Sequence, residues 1–190
     1  MILKTVWRYS ILFLIILSGT SFIEAKVNEN SVPQTEQDNI IESLNTEKPG
    51  AKIIIGAVEK VRLLPPNVVL KARIDTGAKT TSIDAQNIIP FERDGKEWVR
   101  FDWYLGEKTY SIERKVIKSI LIKRHGEESQ RRYVVKMRIV LGKVSQLISV
   151  NLNDRESYQY PVLIGRNFLR DYFIVDVAKK YQLKPMVLSK

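Results

Sequence analysis

The stretch ARIDTGAKTTSIDA, residues 72–85, sets a carboxylate between an alternating apolar run and a Thr-Gly turn. If the period of two holds to the motif, Ala72, Ile74 and Thr76 share one face of a strand, with Arg73 and Asp75 on the other. Gly77 then ends the strand and permits a tight turn in which backbone N–H groups approach the Asp75 carboxylate. The Thr76 hydroxyl can bond to the backbone of a neighbouring element. That arrangement suits acid–base chemistry, and a turn without chemistry uses the same tripeptide. Phosphate binding is a rival, because Gly-Ala-Lys-Thr at 77–80 resembles the end of a phosphate loop. The full loop needs G-x-x-x-x-G-K-[ST], and neither the upstream glycine nor the Gly-Lys pair is present, so no nest of amides for nucleotide phosphates is expected.

Around this stretch the chain alternates apolar and polar residues in short runs rich in Ile, Val and Tyr. The runs at 52–64, 68–75, 96–105, 108–117, 131–141, 146–154 and 172–177 read as strands. Asp94-Gly95, Leu105-Gly106, His125-Gly126 and Leu141-Gly142 fall between them as hairpin turns. Only GRNFLRDYF, 165–173, reads as a short helix. Many short strands with close turns predict an all-β barrel or two packed sheets. Trp98, Trp103 and Tyr104 read as core or barrel-surface residues, with a ligand platform as the alternative.

The N-terminus carries Lys4 and Arg8 ahead of an uncharged stretch from Tyr9 to Ile23, then Glu24 and Ala25. This is the build of a secretory signal over residues 1–25, with an uncleaved membrane anchor as the alternative, and it predicts a periplasmic or secreted protein. Residues 26–51 hold two Lys against five Asp or Glu and few large apolar side chains, which reads as a flexible linker. The remaining 52–190 is one domain's worth of chain, with 27 Lys and Arg against 15 Asp and Glu. So basic a domain attracts anionic partners, and an anionic envelope polymer is one. The basic residues are scattered without regular aromatic interleaving, so no nucleic-acid groove is expected. With no cysteine and His125 as the only histidine, zinc would have to be held almost wholly by carboxylates, and no metal or other cofactor is expected.

The second half adds a discriminating pair. Leu163 and Ile164 stand directly before Gly165, Arg166 and Asn167, some 90 residues after IDTGA. They read as a strand, a turning glycine and then the short helix, a chain that passes behind the loop of the carboxylate and packs against it. An apolar-Asp-Thr-Gly-Ala segment followed by apolar-apolar-Gly-Arg-Asn resembles the retropepsin-like aspartic peptidases. The match extends over roughly residues 53–178 and is closest to a bacterial branch labelled ATP-dependent zinc proteases, often found beside ATP-grasp amino-acid ligases. The resemblance implies a retropepsin-like β-barrel with one short C-terminal helix. It implies that Asp75 is catalytic, that Thr76, Gly77 and Ala78 support its loop, and that Gly165, Arg166 and Asn167 are structural near the site.

In that family two aspartates about 3 Å apart share one proton and activate water against an amide. This chain has one Asp-Thr-Gly, and Asp176, followed by Val177 and Ala178, does not match the motif. A homodimer is therefore implied, with Asp75 facing its copy. Ala78 stands where relatives place a serine whose hydroxyl favours the charged carboxylate, which predicts work nearer neutral pH. Viral members follow the motif with aspartates that hold the Gly-Arg-Asn arginine; here Lys79, Thr80 and Thr81 follow, leaving Asp84 or another group to meet Arg166. Lys71, Arg73 and Lys79 either favour acidic substrates or are solvated strand ends.

Three functions compete on these grounds. The first is a metal- and ATP-independent aspartic endopeptidase acting on a peptide. The second is a non-catalytic envelope-binding domain whose basic surface holds an anionic polymer or partner. The third is hydrolysis of a peptide-like amide in an amino-acid polymer or wall component.

Overall fold

The computed structural model describes residues 48–124 and 127–187. The signal or anchor at 1–25, most of the 26–51 linker and the His125-Gly126 turn lie outside them. Lys48, at the linker's end, pairs with Asp171 at 2.8 Å.

Eleven strands and one helical turn follow in chain order: β1 (Ile53–Gly56), β2 (Val58–Leu64), β3 (Val68–Ile74), β4 (Thr81–Asp84), β5 (Gln86–Arg93) and β6 (Lys96–Leu105). After them come β7 (Lys108–Arg124), β8 (Glu127–Leu141), β9 (Val144–Asn153), β10 (Val162–Ile164), α1 (Arg166–Leu169) and β11 (Phe173–Asp176). Nine strands form one sheet in the order β2-β3-β10-β4-β9-β8-β7-β6-β5, and a further β2–β8 pairing closes the first six into a barrel. Closure removes the edges that those six strands would otherwise present. The expected all-β, retropepsin-like barrel with one short helix is what the chain forms.

The barrel interior follows from period-two patterning. Val61 and Leu63 on β2, Ala72 and Ile74 on β3, Ile148, Val150 and Leu152 on β9, and Met137, Ile139 and Leu141 on β8 all lie in one buried cluster. Burying each of these Val, Leu, Ile and Met side chains contributes roughly 1.5–3 kcal/mol, which makes this the main support of the fold. Trp103 joins that core; Trp98 stacks on Phe91 in the β5–β6 hairpin, and Tyr104 is exposed.

Several expected boundaries move. The run 52–64 is two strands in different sheets, because β1 pairs in parallel with β11 while β2 enters the barrel. The break falls at Gly56, where a Cβ would lie 2.4 Å from the Lys179 carbonyl oxygen. That close approach requires glycine. Strands β4 and β5 are additional to the expected set, and the short strand expected before Gly165 forms as β10. β10 has only three residues, too few to show a period, and is defined by its pairing with β3 and β4. β5 contains Pro90 and a register shift, both tolerated because it is the sheet's edge. The expected helix shrinks to the four residues of α1. β7 runs seven residues past its expected end at Ile117, making a long arm with β8.

The C-terminal tail is tied back to the barrel. The fully buried Glu59 carboxylate accepts N–H bonds from Gly56, Gln182 and Leu183 at 2.7, 3.0 and 3.2 Å. Ala57 donates to Lys179 and Tyr181 to Val58, so Lys180 is held beside β2 and β3.

Candidate functional site

Strand β3 ends at Ile74, so the strand period stops one residue before the motif's carboxylate. Ala72 and Ile74 are buried as expected, while Thr76 is exposed rather than on the interior face. The half-buried Asp75 is fixed by its backbone, whose N–H donates to Ile164 on β10 at 2.9 Å. Its Oδ1 accepts N–H bonds from Gly77 at 2.9 Å and Ala78 at 3.1 Å. The turn expected from the sequence therefore forms, and it holds the carboxylate by one oxygen. No hydrogen bond among the described residues reaches Oδ2.

The Gly165-Arg166-Asn167 segment braces this turn from behind. A Cβ on Gly165 would lie 2.7–2.9 Å from the backbone of Thr80 and Thr81, so only glycine allows the two loops to cross. Arg166 donates its backbone N–H to Ala78, and its Nη1 donates to the carbonyls of Thr76 and Gly77 at 3.0 and 2.6 Å. Arg166 thus meets backbone carbonyls of the Asp75 turn. Asp84 instead accepts from Gln86 and from the Arg155 backbone N–H. Asn167 accepts from both the N–H and the hydroxyl of Thr81 and donates to Ser149.

Thr81 is the support that sequence reading did not single out. Its buried hydroxyl donates to Asn167 and accepts from the Gly165 N–H at 3.1 Å, locking the two motifs together. No sequence signal marked it, because β4, which it starts, was not among the expected strands. Asp176 lies on β11, bonded to Lys179 at 3.1 Å and to the Ala178 N–H.

A cleft of about 730 Å³ adjoins the turn at Ala78 and Thr80. Its floor is a row in register across four strands: Arg73 on β3, Leu163 on β10, Ser82 on β4 and Asn151 on β9. These positions alternate with the interior residues Ala72, Val162, Ile83 and Leu152, so the row covers the barrel's outer face. Four basic side chains line the cleft, namely Arg73, Arg132, Arg155 and Lys180, and no acidic residue is among its described lining. Of the three basic residues flanking the motif, only Arg73 lines it; Lys71 and Lys79 are exposed elsewhere.

Arg155 is held rigidly. Its Nε donates to the Tyr160 carbonyl at 3.2 Å, and its guanidinium lies 4.4 Å from the Tyr158 ring centre. Burial draws its pKa below the ordinary arginine value, while Tyr158, Asp84 and Asp75 pull the other way. Among the described residues no group of three or more His, Asp or Glu is placed to hold a metal ion.

A closed six-strand barrel whose Asp-Thr-Gly turn is braced by a Gly-Arg-Asn loop is the retropepsin-like arrangement. The chain belongs to the RimB-like family, whose sequence model, described as retropepsin-like aspartic endopeptidase RimB, matches residues 54–185. Among curated relatives, one from Shewanella pealeana is 36% identical over 137 residues, covering 70% of this chain and 30% of its own. One from Parasynechococcus marenigrum is 33% identical over 140 residues, again 70% of this chain and 29% of the relative. Both carry the name "Probable alpha-L-glutamate ligase". This chain thus spans under a third of the length of the curated relatives it matches. A crystal structure of a Legionella pneumophila protein of unknown function is 35% identical, with a TM-score of 0.62, covering 70% of this chain and all of that one.

Proposed function

We propose that the protein is an aspartic endopeptidase that works as a homodimer, with Asp75 of each copy supplying one carboxylate. The observation that carries this is the Asp75 turn itself: one oxygen pinned by the Gly77 and Ala78 amides, on a loop braced by Arg166 and Asn167. Two such carboxylates sharing one proton divide the work. The ionised one takes a proton from water as its oxygen attacks the amide carbon, and the protonated one gives its proton to the carbonyl oxygen. Collapse of the resulting diol breaks the C–N bond as the leaving nitrogen is protonated. Dimerisation is supported by the single Asp-Thr-Gly and by the β1–β11 sheet, where Ile54 and Ile174 are paired in register and each 53% exposed. Ala57, just after β1, accepts from the Ile74 N–H, which ties this sheet to the end of the Asp75 strand.

The substrate we propose is an acidic peptide or peptide-like amide rich in glutamate. Support comes from the four basic residues of the cleft and from the relatives' name, which concerns glutamate. A periplasmic or secreted location, with a cleaved signal or an N-terminal anchor, is supported by the basic and apolar start of the sequence. No helix among the described residues is long and apolar enough to cross a membrane.

Asp75→Asn tests the proposal. Hydrolysis of a glutamate-rich peptide should fall by at least about 100-fold, since a positioned acid–base group contributes roughly 10²–10⁴. The melting temperature should be kept within a few degrees. An unchanged rate would remove the chemistry from Asp75 and favour the envelope-binding reading.

A further inference from the structure

We infer that Arg132, with Ser82 lining the same cleft, is the specificity-determining residue of the cleft, binding a carboxylate of the substrate and thereby setting the preference for acidic over neutral side chains. The inference takes the acidic peptide from the proposed function, and it adds which of the cleft's cations reads the acid.

Two polar atoms lining the cleft are buried without a hydrogen-bond partner, Arg132 Nε and Ser82 Oγ. Native proteins seldom leave buried donors unmet, and two orphans lining one cleft are where a ligand, or the water it displaces, would complete the network. They come from separated parts of the chain, Ser82 from β4 on the cleft floor and Arg132 from β8. The other cations are differently placed. Arg155 spends Nε on Tyr160 and its face on Tyr158, and Arg73 is exposed on the floor. No acidic residue is among the described lining around Arg132, so the cleft presents it to an incoming acid without a carboxylate of its own wall.

The setting of Arg132 also gives the shape of what it binds. In the β7–β8 arm Arg132 stands directly opposite Ile120, and paired residues share a face of the ribbon. Ile120 is 38% exposed. A guanidinium beside an aliphatic surface suits a side chain with a methylene stem and a terminal carboxylate. Arginine's planar fork matches a carboxylate by two parallel N–H bonds, a geometry that lysine does not reproduce.

The test uses binding rather than turnover, so that it is independent of the chemistry. Full-length protein carrying Asp75→Asn is titrated with two peptides identical except that every glutamate of the first is glutamine in the second. The glutamate peptide should bind more tightly. Adding Arg132→Met should weaken it by about 10- to 100-fold, the usual range for a hydrogen bond to a charged group, and leave the glutamine peptide within about twofold. Arg132→Lys should fall between, and Ser82→Ala should cost the glutamate peptide a few-fold. Far-UV circular dichroism and melting check that the variants fold; if Arg132→Met does not, Arg132→Lys carries the same comparison. Equal weakening of both peptides, no weakening of either, or no binding of the glutamate peptide at all would overturn the inference. If binding behaves as described while the wild-type protein fails to hydrolyse the glutamate peptide, the peptidase reading fails and the role of Arg132 stands.

Discussion

The Asp75 end of the barrel and the β5–β6–β7 extension are built on opposite plans. Around Asp75, loops far apart in sequence are stitched by side chains: Thr81 to Asn167, Gly165 to Thr81, Arg166 to Thr76 and Gly77, and Asn167 to Ser149. The side chains of Thr81, Arg166 and Asn167 there are committed to fixing backbone. In the extension, successive strands pair mainly with their sequence neighbours, and the ladders are broken by register shifts at Gln86/Ile89 and Val116/Lys118. Apolar side chains of that region, Ile89, Ile117 and Leu121, face solvent. The difference is between over-determined geometry at the Asp75 turn and locally held strands with exposed apolar surface in the extension.

Substitutions at the two ends should therefore differ in size and kind. Gly165→Ala is expected to have the largest effect, since its methyl would overlap backbone atoms that cannot swing away. A stability loss of roughly 2–3 kcal/mol together with loss of hydrolysis should appear in denaturant melts and peptide assays. Next comes Thr81→Val, which keeps the shape and removes the hydroxyl, leaving the Gly165 N–H unpaired. About 1–3 kcal/mol should be lost, with catalysis falling more than peptide binding. Last is Arg93→Ala in the extension. It removes an ion pair to Glu113 and stacking on Phe91 and Trp98, all near the surface, and should cost under about 1 kcal/mol with hydrolysis unchanged. A larger effect for Arg93→Ala than for Thr81→Val would break the contrast between the two ends.

What was legible in the sequence follows the same division. The Asp75 turn and the Gly165-Arg166-Asn167 brace could be read because each is a short local segment whose residue types are dictated by backbone geometry. Barrel strands β3, β8 and β9 could be read because their interior faces keep period two. β10 could be read only from its place before the turning glycine, since three residues carry no period and long-range pairing defines it. The split between β1 and β2 could not be read, because the need for glycine at position 56 is created by Lys179, far away in the chain. Thr81 looked like one threonine among several until Asn167 was placed against it. The cleft was the least visible of all: Arg73 sits beside the motif, whereas Arg132 and Arg155 reach the same groove only through the register of β4, β8 and β9.

The central claim is that two copies of one carboxylate make one active centre, and sedimentation combined with activity across a dilution series tests it most directly. Hydrolysis should travel with the dimer, and the rate per chain should decline as dilution splits it. Full activity per chain in a strictly monomeric species would contradict the account.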